Sequence, residues 1–131
     1  MPLFGKRQEE NEKLRAEVTR LESLPLAELA AEVMTKGFGP GAPAGDGRYA
    51  GLSNIAGALN PAEGSFLDDT LLTEHFAVVA EGAQILEHAG LVRFEISSEG
   101  GVVHWVWTPT RYGVAALQQD AVLRILQGGQ L

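Results

Sequence analysis

At Gly90 the apolar period of this chain changes from between three and four to two, and that change constrains the fold more than any other feature. Ahead of it, Leu72, Phe76, Val79, Ala83 and Leu86 recur at helical spacing. The pattern predicts a helix over 73–89 with one face in a core. Thr73 reads as its N-cap, with Phe76 standing where a capping-box glutamate would be. Gly82 lies inside this helix at a cost of about 1 kcal/mol relative to alanine, which a close helix contact would explain. Gly90 suits the left-handed residue that stops a helix. Beyond it, Val92, Phe94 and Ile96 alternate with Arg93, Glu95 and Ser97. Ser98-Glu99-Gly100-Gly101 reads as a turn, after which Val103, Trp105 and Trp107 alternate with Val102, His104 and Val106. This is a β-hairpin with one strongly apolar face. Thr108-Pro109 then reads as a cap and first-turn proline opening a last helix over 109–127. Val114, Leu117, Ala121 and Ile125 lie along one side of it, widened by Val122 and Leu126, and Gly128-Gly129 ends it.

Upstream, residues 8–22 form a charged helix in which Leu14, Val18 and Leu21 make a heptad seam, with Asn11 at the preceding seam position, a pattern that fits either a helix laid against its own domain or one paired with a second copy. Glu9 and Lys13 have the favourable order for a helical ion pair. Pro25 reads as the start of a second helix running to about Gly37. Its expected buried stripe is Leu26, Leu29, Ala30, Val33 and Met34, with Glu28, Glu32 and Lys36 outside. Gly37-Phe38-Gly39-Pro40 ends it, and 39–50 is a Gly/Pro/Ala-rich loop without periodicity. Residues 52–60 read as a short helix closed by Asn60-Pro61.

The chain of 131 residues is long enough for one core and too short for two. Its charge of −7 falls wholly in 23–131, because the first 22 residues hold five basic and five acidic side chains. That balance argues against a broadly basic nucleic-acid binder. No cysteine is present, so there is no disulfide frame and no thiolate chemistry. No apolar run approaches the roughly 20 residues that span a bilayer, and Met-Pro-Leu-Phe-Gly-Lys-Arg lacks the apolar core of a signal peptide. These features point to a cytoplasmic protein that engages no membrane.

Candidate chemistry is sparse. His75 and His88 stand nearly four turns apart on one helix, and His104 is on a strand, so no metal is expected. Asp68, Asp69 and Glu74 gather near a helix start, where the dipole favours negative charge. Gly51-Leu52-Ser53-Asn54-Ile55 has Ile55 where a nucleophile elbow needs glycine, and it lacks a preceding strand. The glycine-rich run 37–47 has no Gly-Lys-Ser/Thr ending and is no P-loop. Trp105 and Trp107 share a face suited to core packing or an interface. Neither an enzyme nor a cofactor is indicated.

Gln84-Ile85-Leu86-Glu87-His88-Ala89-Gly90-Leu91-Val92 and Trp107-Thr108-Pro109-Thr110-Arg111-Tyr112-Gly113 resemble the exit from the recognition helix and from the wing in MarR- and PadR-type winged helix-turn-helix domains. The resemblance covers 73–117. It implies an α+β winged helix over 23–131: three helices, a two-stranded wing and a C-terminal helix. Residues 1–22 would be a charged helical extension, with dimerisation as one use for it. A homodimer is implied, paired through Leu14, Val18 and Leu21 and through Val114, Leu117, Ala121 and Ile125. The recognition-helix surface would be Thr73, Glu74, His75, Val78, Glu81 and Gln84. If DNA were bound, Arg48, Arg93 and Arg111 would contact phosphate. Yet helix 73–89 contains three glutamates and no lysine or arginine, and phosphate affinity depends on cations. The first expectation is therefore a non-enzymatic protein-interaction or oligomerisation module with an unnamed protein partner. A DNA-binding transcriptional regulator is second. A small-molecule sensor closed by the loop 39–50 is third.

Overall fold

The computed structural model describes residues 2–42, 50–64 and 67–131. Among them the elements run α1 (Pro2–Ser23), α2 (Leu26–Phe38), β1 (Ala50–Gly51), α3 (Leu52–Ala58), α4 (Asp69–His88), β2 (Val92–Ser97), β3 (His104–Pro109), α5 (Arg111–Gln118) and α6 (Val122–Leu126). A short 3₁₀ turn at Glu99–Gly101 joins β2 to β3. The architecture is mixed, with helices packed on a small antiparallel sheet of order β1-β3-β2.

The hairpin sets its register through side-chain alternation. Phe94 pairs with Trp107 and Ile96 with Trp105, so the apolar residues of both strands share one face. Their rings stack at a tilt, with Phe94 5.4 Å from Trp105 and 5.2 Å from Trp107. That face begins in the core at Val92 and emerges into solvent, leaving Ile96 61% and Trp105 64% exposed. The strand β1 was not expected; Ala50 and Gly51 leave the Gly/Pro-rich loop to pair with Trp107 and Val106.

The main core joins α2 to α4 and α6 through Leu29, Val33, Met34, Val79, Leu86 and Ile125. Leu91 and Val92 anchor the hairpin to it. The crossing of α2 on α4 depends on Gly82: a Cβ there would sit 2.6 Å from Val33 Cγ2. A second cluster holds Leu14 and Val18 of α1 against Leu71 of α4. The heptad seam is thus buried within its own chain, with Leu14 and Leu21 fully covered. Leu14, Val18 and Leu21 pack within the chain itself, the first of the two arrangements their spacing allows, and do not stand free for pairing between subunits.

Helix ends depart from expectation for local reasons. α4 starts a turn early, because Asp68 and not Thr73 is its N-cap, accepting from the Thr70 and Leu71 amides. Its buried arc is Leu71, His75, Val78, Val79, Gly82, Ala83 and Leu86, whereas Phe76 is 37% exposed. α4 is covered by α2 and α1 together, which turns the arc away from the stripe expected for a single packed side. Pro25 is the N-cap of α2, not its first residue, and Leu26 stands 58% exposed. Pro109 closes β3, and Thr110 caps α5 by accepting from the Gly113 amide at 2.9 Å.

The last helix is two. Asp120 has φ +50, the left-handed region, and ends α5. The Ala121 amide then returns to the Ala116 carbonyl and the Asp120 amide to Leu117, a Schellman closure. Gly90, at φ +77, ends α4 the same way, with Leu91 bonding back to Leu86. Ala121 and Ile125 belong to the chain's own core, and Val114 and Leu117 are half-buried. The continuous C-terminal helix expected for dimerisation is not formed.

Candidate functional site

Helix α4 presents one face to solvent, and the residues on it decide what the surface can bind. Thr73, Glu74, Glu81 and Gln84 are exposed, as a recognition surface requires. His75 and Val78 are not: His75 is fully buried and Val78 is 7% exposed. His75 lies in the interior instead, and Val78, nearly covered, lines a groove beside α4 rather than standing on its open face.

His75 keeps neither ring nitrogen hydrogen-bonded. Burial pushes its pKa below the ordinary 6.5, partly offset by the nearby Leu59 backbone and Glu17 carboxylate. The imidazole is thus held neutral, as a core side chain is. His88 is exposed, and the His104 side chain lies outside the described residues. Among the described residues no group of three His, Asp or Glu side chains could hold a metal ion.

Between α4 and the junction of α1 with α2 runs an open groove of about 430 Å³. Leu24, Leu26, Ala77 and Val78 make its apolar walls. Glu22, Glu74 and Glu81 stand on its rim, and no lysine or arginine lines it. Glu74 and Glu81 are seven residues apart on α4, two turns along one face. Leu26, one of these apolar walls, is 58% exposed.

The junction beneath the groove is fixed by Arg20. Its guanidinium meets Glu17 at 2.6 Å and Glu32 of α2 at 2.8 Å, and both carboxylates hold its pKa further above its ordinary range. No ion pair among the described residues involves Glu22, Glu74 or Glu81.

Of the three expected phosphate contacts, two lie among the described residues. Arg93 lies in β2 with its guanidinium 3.8 Å from Glu95. Arg111 is exposed at the first position of α5, and Arg48 lies outside the described residues. A second cleft, about 420 Å³, is lined by Arg7 and Arg15 of α1 but also by Glu12 and Asp68.

Two polar residues matter structurally and were not singled out in this role from sequence. Glu10, 5% exposed, accepts the Glu63 amide at 3.0 Å and pairs with Lys13. The Glu63 amide and then Lys13 draw its pKa below the ordinary carboxylate value. Asn11 accepts the Asp68 amide at 2.9 Å. Together they tie the segment before α4 to α1. The partners lie more than fifty residues away, so nothing local in the sequence marks them.

No family model matches the chain, and neither the curated proteins nor the solved structures contain a match to it. Among the described residues no helix is long and apolar enough to cross a membrane.

Proposed function

We propose that this chain is a non-enzymatic, protein-binding module built on a winged-helix frame. The frame is supported by α2, α3, α4, the β2–β3 hairpin and α5 following one another in the order such domains have. The observation that carries the binding role is the groove on α4, apolar within and rimmed by Glu22, Glu74 and Glu81. A polyanion would meet three carboxylates there and no cation. A polypeptide carrying apolar side chains flanked by lysine or arginine would find both complements at once. An amphipathic helix suits the two-turn spacing of Glu74 and Glu81, since cations seven residues apart on its own face would match them.

The test is a pair of titrations on the full chain, one with a basic amphipathic helical peptide and one with random duplex DNA. The peptide binds, and Glu74→Lys with Glu81→Lys weakens it at least about tenfold while the fold persists. Duplex binding that falls steeply with salt, with no peptide binding, would instead support a DNA-binding regulator of transcription. That second reading draws on the exposed guanidinium groups of Arg93 and Arg111 near the hairpin.

A further inference from the structure

The hairpin has a free side. The sheet order β1-β3-β2 leaves β2 as an edge strand, and no backbone hydrogen bond among the described residues reaches it from the side away from β3. The other edge, β1, is only two residues long, which limits what it can pair with. β2 is six residues, with no proline, glycine or lysine to blunt it. Its two charges, Arg93 and Glu95, have opposite signs and lie on one face. The opposite face carries Val92, Phe94 and Ile96, and Ile96 and its neighbour Trp105 are more than half exposed.

Read about Phe94, the strand Val92-Arg93-Phe94-Glu95-Ile96 complements itself. Turned antiparallel against a second copy, Phe94 faces Phe94, Val92 faces Ile96 and Arg93 faces Glu95. Each apolar residue meets an apolar one, and each charge meets its opposite. A centre on a residue satisfies antiparallel pairing whichever parity of amides faces outward. We propose that β2 is a self-association edge: two copies pair through it about a two-fold axis at Phe94, making one continuous six-stranded sheet. The occupant is a second copy of this chain, chosen by the charge complementarity of Arg93 and Glu95 and by the apolar face that the pairing extends. In the free chain Arg93 reaches Glu95 only at 3.8 Å, and Glu95 also accepts from Thr108 Oγ1 at 2.8 Å. Arg93 is therefore available to a partner's carboxylate. This surface is separate from the heptad seam and from α5–α6, and it does not use the α4 groove.

The test is sedimentation equilibrium with reciprocal charge reversals at exposed positions. The wild-type chain dimerises. Arg93→Glu alone or Glu95→Arg alone sets like charges opposite one another at both symmetric sites and weakens association at least about tenfold. Mixed in equal amounts, the two variants form a heterodimer whose affinity returns to within about threefold of wild type, because each charge again meets its opposite. A wild-type chain still monomeric at about 1 mM, where even a millimolar dissociation constant would show, overturns the proposal. So does a dimer indifferent to both reversals, or a mixture no tighter than either variant alone. A second measurement needs no variant: backbone amides of β2 exchange more slowly as wild-type concentration rises, and exchange independent of concentration refutes the pairing.

Discussion

Gly82→Ala tests the closest contact in the core. In an exposed helix the change would stabilise the fold by about 1 kcal/mol, through helix propensity alone. Here the new Cβ would lie 2.6 Å from Val33 Cγ2 and 3.3 Å from Val33 Cβ, against an ordinary contact beginning at 3.4 Å. The methyl must retreat by about 0.8 Å. Val33 is fully buried, and a β-branched side chain in a helix has one favoured rotamer, so the helix itself has to move. Overpacking of this kind costs about 1–3 kcal/mol, which outweighs the propensity gain and leaves a net loss of about 1 kcal/mol. Val33→Ala alone removes two methyl groups and destabilises by about 2 kcal/mol. In that background the alanine at 82 has room, and its propensity gain of about 1 kcal/mol is realised. The expected coupling is therefore about 2 kcal/mol, read from urea unfolding of the four proteins by circular dichroism. If Gly82→Ala stabilises by the same amount in both backgrounds, the close approach of α2 and α4 is wrong.

Other expectations follow from the packing. Leu14→Ala should destabilise by about 2–5 kcal/mol, with an unfolding midpoint independent of chain concentration, because Leu14 is buried against its own α4; a concentration-dependent loss would restore the seam to an intersubunit role. His75 has a folded pKa below its unfolded one, so the unfolded chain binds the proton first. Its contribution is complete above the ordinary value of 6.5 and declines as pH falls from there through the folded pKa. Urea midpoints should drop on acidification in wild type and drop less in His75→Leu; equal slopes would refute the assignment. Asp120→Gly relieves a non-glycine residue of its left-handed conformation and should raise stability by up to about 1 kcal/mol in thermal unfolding. A loss there would mean that the Asp120 side chain makes a contact the backbone account omits.

Much of the architecture was legible where the signal is periodic and local. The switch of period at Gly90 marked the end of α4 and the hairpin, and Gly82 was marked as a residue in need of a reason. The same logic failed where one spacing fits two structures. Val114, Leu117, Ala121 and Ile125 keep helical spacing across a break, because the left-handed residue at 120 is an aspartate and not the glycine that usually announces it. Phe76 fits the expected stripe of α4, yet His75 lies inside and Phe76 at the margin, since periodicity locates a face only when one partner covers it. The seam in α1 looked alike whether its mate was another chain or Leu71 of this one.

The candidate groove shows the same division. The acidic character of α4 was readable directly, because charge is a property of composition. The opening itself was not. It lies between α4 and the junction of α1 with α2, and its lining draws Leu24 and Leu26 together with Ala77 and Val78, which stand about fifty residues further along the chain. By itself the sequence determined the main helices, the hairpin and the charge each segment carries, since those depend on neighbours a few residues away, but not β1 or the break at Asp120. Only the tertiary structure decided which apolar faces meet and which are left open, because that choice is made by residues fifty positions apart competing for the same surface.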